Sequence, residues 1–318
     1  MRSAIQPMRP HKPMRRFIGI SRSSHPSAFS TSHPPFAIRY SLFALHMLHK
    51  LRLAINGKIP PWAKEGYLKC REFNASSRAL PDFLIIGAQK AGTTSLFNYL
   101  CLHPQITGSM PKEVMFFTAQ FSRGVDWYQR HFPLRSTLAR NKALCGEATP
   151  TYLYSLQAPE HVASITPAAK LIIVMREPAA RAVSHYYHEK RCGLEKRPIN
   201  EVFSESEIER WRNGDCPDLP AKFYFKWGDY ASALEQWLSV FSRDQLLLID
   251  SADFFKNSEK NFESVCDFLE IQKCGLLTEK AFNAGSHKEK PIAFGSMKAA
   301  FSSQNQRLRK LGFSANWC

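Results

Sequence analysis

The first acidic residue of this chain is Glu65: the 64 residues before it carry eleven Lys or Arg and no carboxylate. A segment that one-sided lacks the mixed-charge surface of a folded domain and reads as a basic appendage. The rest holds 32 basic and 27 acidic residues, so most of the formal +16 of the 318-residue chain belongs to the appendage. This argues against a uniformly basic nucleic-acid binder. Also missing is any C-x-x-C pair. The eight cysteines, at 70, 101, 145, 192, 216, 266, 274 and 318, show no metal-ligand spacing, which argues against structural zinc. Cys101 falls in an apolar helical pattern and reads as core. Cys192 and Cys216 would pair only in an oxidising compartment. No long apolar run is free of charge: the best candidate, 36–55, contains Arg39, Lys50 and Arg52 and makes a poor membrane span. No internal repeat or low-complexity tract follows residue 80.

The appendage, taken as residues 1–78, is rich in Arg, Ser, Pro and His. That composition suits a cleavable transit peptide or a disordered basic tail. Residues 36–55 also suit a basic amphipathic helix lying on a membrane, which makes membrane contact an expectation for that stretch. Translation starting at Met47 is a further reading. Location follows the choice: cytoplasm if 1–46 is not a targeting segment, an organelle or the Golgi lumen if it is. Asn74-Ala75-Ser76 is a glycosylation sequon, of consequence only in a secreted chain.

What is present starts at Asp82. Asp82 to Ile86 reads as a short buried strand, and Thr93 to Leu102 as a helix. Between them lies Gly87-Ala88-Gln89-Lys90-Ala91-Gly92, with four residues between the glycines as in a phosphate-cradling loop. The turn aims the first helical N–H groups and the positive end of the helix dipole into the bend. Gly92 lets a backbone approach an anion, and Thr93, Thr94 and Ser95 bring hydroxyl donors. An ATPase or GTPase needs Lys after the second glycine. Here that place is Thr93, and the lysine stands three residues earlier at Lys90.

Lys170 to Met175 is a second buried strand, followed by Arg176-Glu177-Pro178 and a helix through Arg191, with Pro178 in its first turn. NTPases close that strand with Asp to help hold magnesium; Arg176 would repel the metal and attract another anion. Ser184, about two helical turns on, can share a phosphate with Arg176. Tyr230 to Phe241 is helical, Gln245 to Ile249 a third strand, and Asn257 to Leu269 an amphipathic helix. Residues 193–226, with Pro198, Gly214, Pro217 and Pro220, read as a long loop or insertion. The expected fold is α/β: a P-loop-like central parallel sheet with helices on both faces, forming a single domain over 79–318. Ligands on such a sheet bind beyond the C-terminal strand ends, where Gly87–Ser95 and Arg176–Ser184 converge. Together the two sites suit a nucleotide with phosphates at both ends of its ribose better than Mg·ATP.

The motifs PDFLIIGAQKAGTTSL, PKEVMFF, GEATPTYL and LIIVMREPAARAVSHY, in that order, resemble the sulfotransferases that use 3′-phosphoadenosine-5′-phosphosulfate (PAPS). The likeness is to the bacterial-type sulfotransferase domain and to the heparan sulfate N- and 3-O-sulfotransferases, and it runs from Pro81 to Trp317. It implies transfer of the PAPS sulfuryl group to a hydroxyl or amine of a carbohydrate or small molecule, in-line and without a metal. It implies that Lys90 bridges the 5′-phosphate and the sulfuryl group, that Gly92, Thr93, Thr94 and Ser95 form the 5′-phosphosulfate loop, and that Arg176 and Ser184 bind the 3′-phosphate. It implies Glu113 as general base. The partners implied are PAPS, its product PAP and the acceptor, with no nucleic acid.

The chain departs from the pattern twice. Glu147 is followed by Ala148 where the 3-O enzymes carry Lys. The glycan enzymes' late Lys-Gly-Arg loop is replaced by Gly285-Ser286-His287-Lys288-Glu289-Lys290, leaving Lys288 or Lys290 to close over the nucleotide. Glu147 reads as a buried carboxylate orienting Lys90 or Arg176, or as a helix cap. His185 and His188 read as helix-surface residues, with an alternative base as the second reading. Two other function classes remain: a P-loop kinase or NTPase, which Thr93 and Arg176 oppose, and a non-enzymatic basic protein binding nucleic acid or membrane through its N-terminal arm.

Overall fold

A computed structural model describes residues 60–214, 223–276 and 289–317. The stretch 36–55, Cys216 and Lys288 lie outside them. Five strands, β1 (Phe83–Gly87), β2 (Ile106–Gly108), β3 (Leu144–Ala148), β4 (Lys170–Met175) and β5 (Leu246–Asp250), form one parallel sheet in the order β2-β3-β1-β4-β5. β1 is central, with Phe83 opposite Gly146 on one side and Lys170 on the other. Every residue of β1 is buried, and in β4 only Lys170 is not, as helices on both faces of a parallel sheet require. The main helices named below are α1 (Pro61–Glu72), α2 (Thr93–Leu102), α3 (Pro178–Arg191), α4 (Glu205–Arg212), α5 (Tyr230–Leu238), α6 (Ser251–Lys256) and α7 (Ser258–Leu269).

The α/β sheet is as expected, but it has two strands that no apolar run announces. β2 is only three residues long, and β3 reads Leu-Cys-Gly-Glu-Ala, two residues of which look unlike a buried strand. Both oddities have packing causes. A β-carbon at Gly146 would lie 2.5 Å from the Phe83 ring on the neighbouring strand, so only glycine fits there. Glu147 turns into the core, where hydrogen bonds satisfy it.

Residues 193–226 are not simply a loop. Ile199–Val202 makes one helical turn, and Ser204 caps α4 by accepting from the Glu207 N–H at 3.4 Å. Ile199, Val202, Phe203 and Ile208 form a second small core with Tyr186 of α3 and Tyr224. Pro198 precedes the first of these turns and Gly214 follows α4, while Pro217 and Pro220 lie outside the described residues.

Residues 61–78, grouped with the appendage by composition, fold onto the body. Leu68 of α1 is buried. The side chain of Arg130, 3 % exposed, pairs with Glu65 at 3.1 Å and Glu72 at 3.0 Å. Arg78 donates to the Phe132 carbonyl at 3.0 Å, and Arg71 donates to the same oxygen.

Candidate active site

β1 ends at Gly87 and α2 begins at Thr93, so the residues between them turn over the C-terminal edge of the sheet. The turn is tied to the next strand: Ala88 N–H donates to the Val174 carbonyl of β4 at 2.7 Å. Gly92 precedes α2 at φ 108, in the left-handed region, and no side chain caps the helix. The first-turn N–H groups and the positive helix end therefore face the bend. A β-carbon on Gly92 would also meet the Phe255 ring of α6 at 2.9 Å. Glycine is thus required twice, by backbone and by space. Gly92→Ala is expected to lower stability by about 1–3 kcal/mol. Adding Phe255→Ala should restore only part of the melting temperature, because the backbone strain stays.

Lys90 stands at φ 70 and is half-buried. Burial lowers the pKa of its ammonium, and Arg191 and Arg176 lower it further. Arg176, just past β4, donates from Nη1 to the Lys90 carbonyl at 3.4 Å, and Tyr230 of α5 donates to the Arg176 carbonyl at 2.9 Å. The neighbouring carboxylate, Glu177, is spent as the cap of α3, accepting from the N–H groups of Ala179 and Ala180 at 2.9 and 2.8 Å. Neither Lys90 nor Arg176 forms an ion pair with a described carboxylate. Two partly buried cations without counter-ions at adjoining strand ends make an anion site. Ser184 lies buried on α3. Of the loop hydroxyls, Thr93 and Ser95 are buried and Thr94 is half-buried.

Glu113 is exposed and pairs with Lys112 Nζ at 2.7 Å. The backbone around it is fixed to β3: Val114 N–H donates to Glu147 Oε2 at 3.3 Å, and Ala148 N–H to the Lys112 carbonyl at 3.3 Å. His188 on α3 connects the two halves of the site electrostatically. Burial, then Lys90 and Arg191, lower its pKa, and Glu113 opposes them. Lys290 is exposed, its ammonium 4.7 Å from the Phe294 ring centroid. Its neighbour Glu289 accepts at its carbonyl from Tyr187 of α3 at 3.2 Å.

The profile of the sulfotransferase domain matches residues 80–310 of this chain. The chain belongs to the sulfotransferase family. A sulfotransferase from Alicyclobacillus acidocaldarius has a solved structure that covers 75 % of this chain and 99 % of its own, at 27 % identity and a TM-score of 0.59. The mouse bifunctional heparan sulfate N-deacetylase/N-sulfotransferase 4 is 33 % identical over 201 residues, 60 % of this chain. The human bifunctional heparan sulfate N-deacetylase/N-sulfotransferase 3 is 34 % identical over 200 residues. The match spans only 22 % of the length of each of these two relatives.

Two residues of this sulfotransferase stand otherwise than expected. Glu147 orients neither Lys90 nor Arg176 and caps no helix. It is fully buried and accepts from Tyr128 at 2.7 Å, Tyr152 at 2.9 Å, Thr149 at 3.2 Å and the Val114 N–H. It therefore fixes the segment that carries Glu113. Burial outweighs these bonds and raises its pKa to about 7. Between the ordinary 4.5 and about 7, the folded chain keeps a proton that the unfolded chain has released. Its contribution thus falls as pH rises through that window and levels off above it. Glu147→Gln should remove that slope from melting curves. It should also destabilise at every pH, because the amide NH₂ faces hydrogen-bond donors.

His185 is not on the helix surface. It is 2 % exposed, stacks 5.4 Å from Trp227, and burial with nearby Arg181 holds its pKa down to about 2. It stays neutral. Phe255, whose ring touches the loop at Gly92, was not visible as a site residue. The Phe254-Phe255 pair gives no sign of which ring is buried.

Proposed function

We propose that this sulfotransferase takes PAPS as donor and a glycan hydroxyl or amine as acceptor. The observation that carries the donor reading is the pair of cations at adjoining strand ends, Lys90 and Arg176, neither ion-paired among the described residues. An uncapped helix start beside them suits a phosphate further. The strand end where an NTPase carries a magnesium-binding Asp carries Arg176 instead.

When bound, the donor supplies the sulfuryl group and a phosphate leaving group. Arg176 and Ser184 hold the 3′-phosphate, and Gly92, Thr93, Thr94 and Ser95 line the 5′ end. Of the two late lysines, the described one, Lys290, closes over the nucleotide. Glu113 takes the acceptor's proton as the new bond to sulfur forms. Lys90 holds the negative charge that develops on the 5′-phosphate oxygen as the old bond breaks. Relatives named as heparan sulfate N-sulfotransferases favour a glycan amine over a small hydroxyl compound.

PAP should raise the melting temperature, and ATP with magnesium should not. A ligand at a hundredfold its Kd stabilises by about 2.7 kcal/mol, which a melting curve resolves. Arg176→Ala should weaken PAP roughly 10–100-fold, the range of a lost hydrogen bond to a charged group. Stabilisation by ATP·Mg²⁺ instead of PAP would point to a P-loop NTPase. Sulfate transfer from labelled PAPS to de-N-acetylated heparosan, compared with its N-acetylated form, tests the acceptor.

A further inference from the structure

Helix α1 holds a rigid place on the body yet shows solvent a face that a free surface rarely carries. Trp62, Gly66, Lys69 and Phe73 fall at i, i+4, i+7 and i+11, one stripe running into the C-cap. All four are exposed, Trp62 by 78 % and Phe73 by 95 %. The rings stand about 16 Å apart at the helical rise. They do not belong to a loose tail, because Leu68 and the Arg130 pairs hold the helix from the other side.

The charge around the rings is one-sided for a structural reason. The acidic residues of α1, Glu65 and Glu72, are both matched by Arg130. Lys64 and Lys69 keep no described ion pair, and the chain entering at Pro60 brings ten more Lys or Arg and no carboxylate. At a bilayer interface Trp settles at the headgroup level and Phe buries its ring against the acyl boundary, and clustered Lys and Arg are drawn to anionic lipid. We propose that the Trp62–Phe73 stripe of α1 docks on an anionic phospholipid surface. A polyanion such as DNA would use the lysines but leave the aromatic stripe without a role.

The test uses the full chain with vesicles of phosphatidylcholine, with and without phosphatidylserine, at low salt. Sedimentation with the phosphatidylserine vesicles alone is expected, together with a blue shift of the emission that Trp62→Phe removes. Trp62→Ser/Phe73→Ser should weaken vesicle binding about tenfold or more. Its melting temperature and its sulfate transfer to a soluble acceptor should stay unchanged. The proposal falls if the double variant sediments like the original chain, if Trp62 emission does not respond to the vesicles, or if vesicles without phosphatidylserine bind equally. Since transfer is read separately, its failure would count against the donor site and not against docking.

Discussion

Lys90→Ala is expected to lower the rate of sulfate transfer by about 10²–10³-fold, the usual cost of losing one donor aimed at developing charge. Three features make the effect that large. Lys90 is half-buried at a left-handed turn, so its ammonium is pre-positioned rather than free to wander. No described carboxylate competes for it. Desolvation, then the nearby Arg191 and Arg176, lower its pKa, and Glu189 offsets them only in part, so an incoming anion meets a cation that its surroundings leave under-compensated. The fall should appear in kcat, while the PAP melting shift should change much less if, as proposed, Arg176 and the loop bind the nucleotide. Lys90→Arg should recover only part, since a planar guanidinium cannot reproduce a point charge in a fixed turn. Transfer that survives Lys90→Ala within a few-fold would remove Lys90 from the chemistry.

Glu113→Gln is expected to cost about 10²–10⁴-fold in kcat, the span of lost general-base catalysis, with little change in PAP binding. Glutamine keeps the shape but cannot take a proton. The carboxylate in this structure is held by Lys112 at 2.7 Å, an exposed contact that an acceptor can displace. A useful comparison is His188→Ala. His188 feels both Lys90 and Glu113, and burial and the cations beside it favour its neutral form. If His188→Ala costs more than Glu113→Gln and flattens the pH profile of kcat, the proton goes to the imidazole and Glu113 only orients it.

Much of this site was legible because its chemistry is local. The loop from Gly87 to Ser95 is one contiguous segment between a buried apolar strand and a helix, and Thr93–Leu102 has the helical limits that the residues suggest. β1, β4 and β5 declare themselves as apolar runs for the same reason, with limits shifted by at most a residue. β3 stayed hidden because the two residues that make it look polar answer to distant partners. Gly146 makes room for Phe83, and Glu147 collects hydrogen bonds from Tyr128 and Tyr152, 19 and 5 residues away. His185 looked exposed because its cover, Trp227 and Tyr224, comes from about 40 residues downstream. Contacts closed by tertiary packing leave no local signature, and those are where the reading of single residues failed.

The Arg130 clamp bears on what counts as the unit of inheritance here. Every motif of the transfer chemistry lies beyond residue 80, yet the counter-charges of a buried guanidinium sit at Glu65 and Glu72. A gene segment exchanged between proteins at the edge of the recognisable motifs would carry the chemistry and leave those counter-charges behind. The fold described here therefore reaches back before the first recognisable motif.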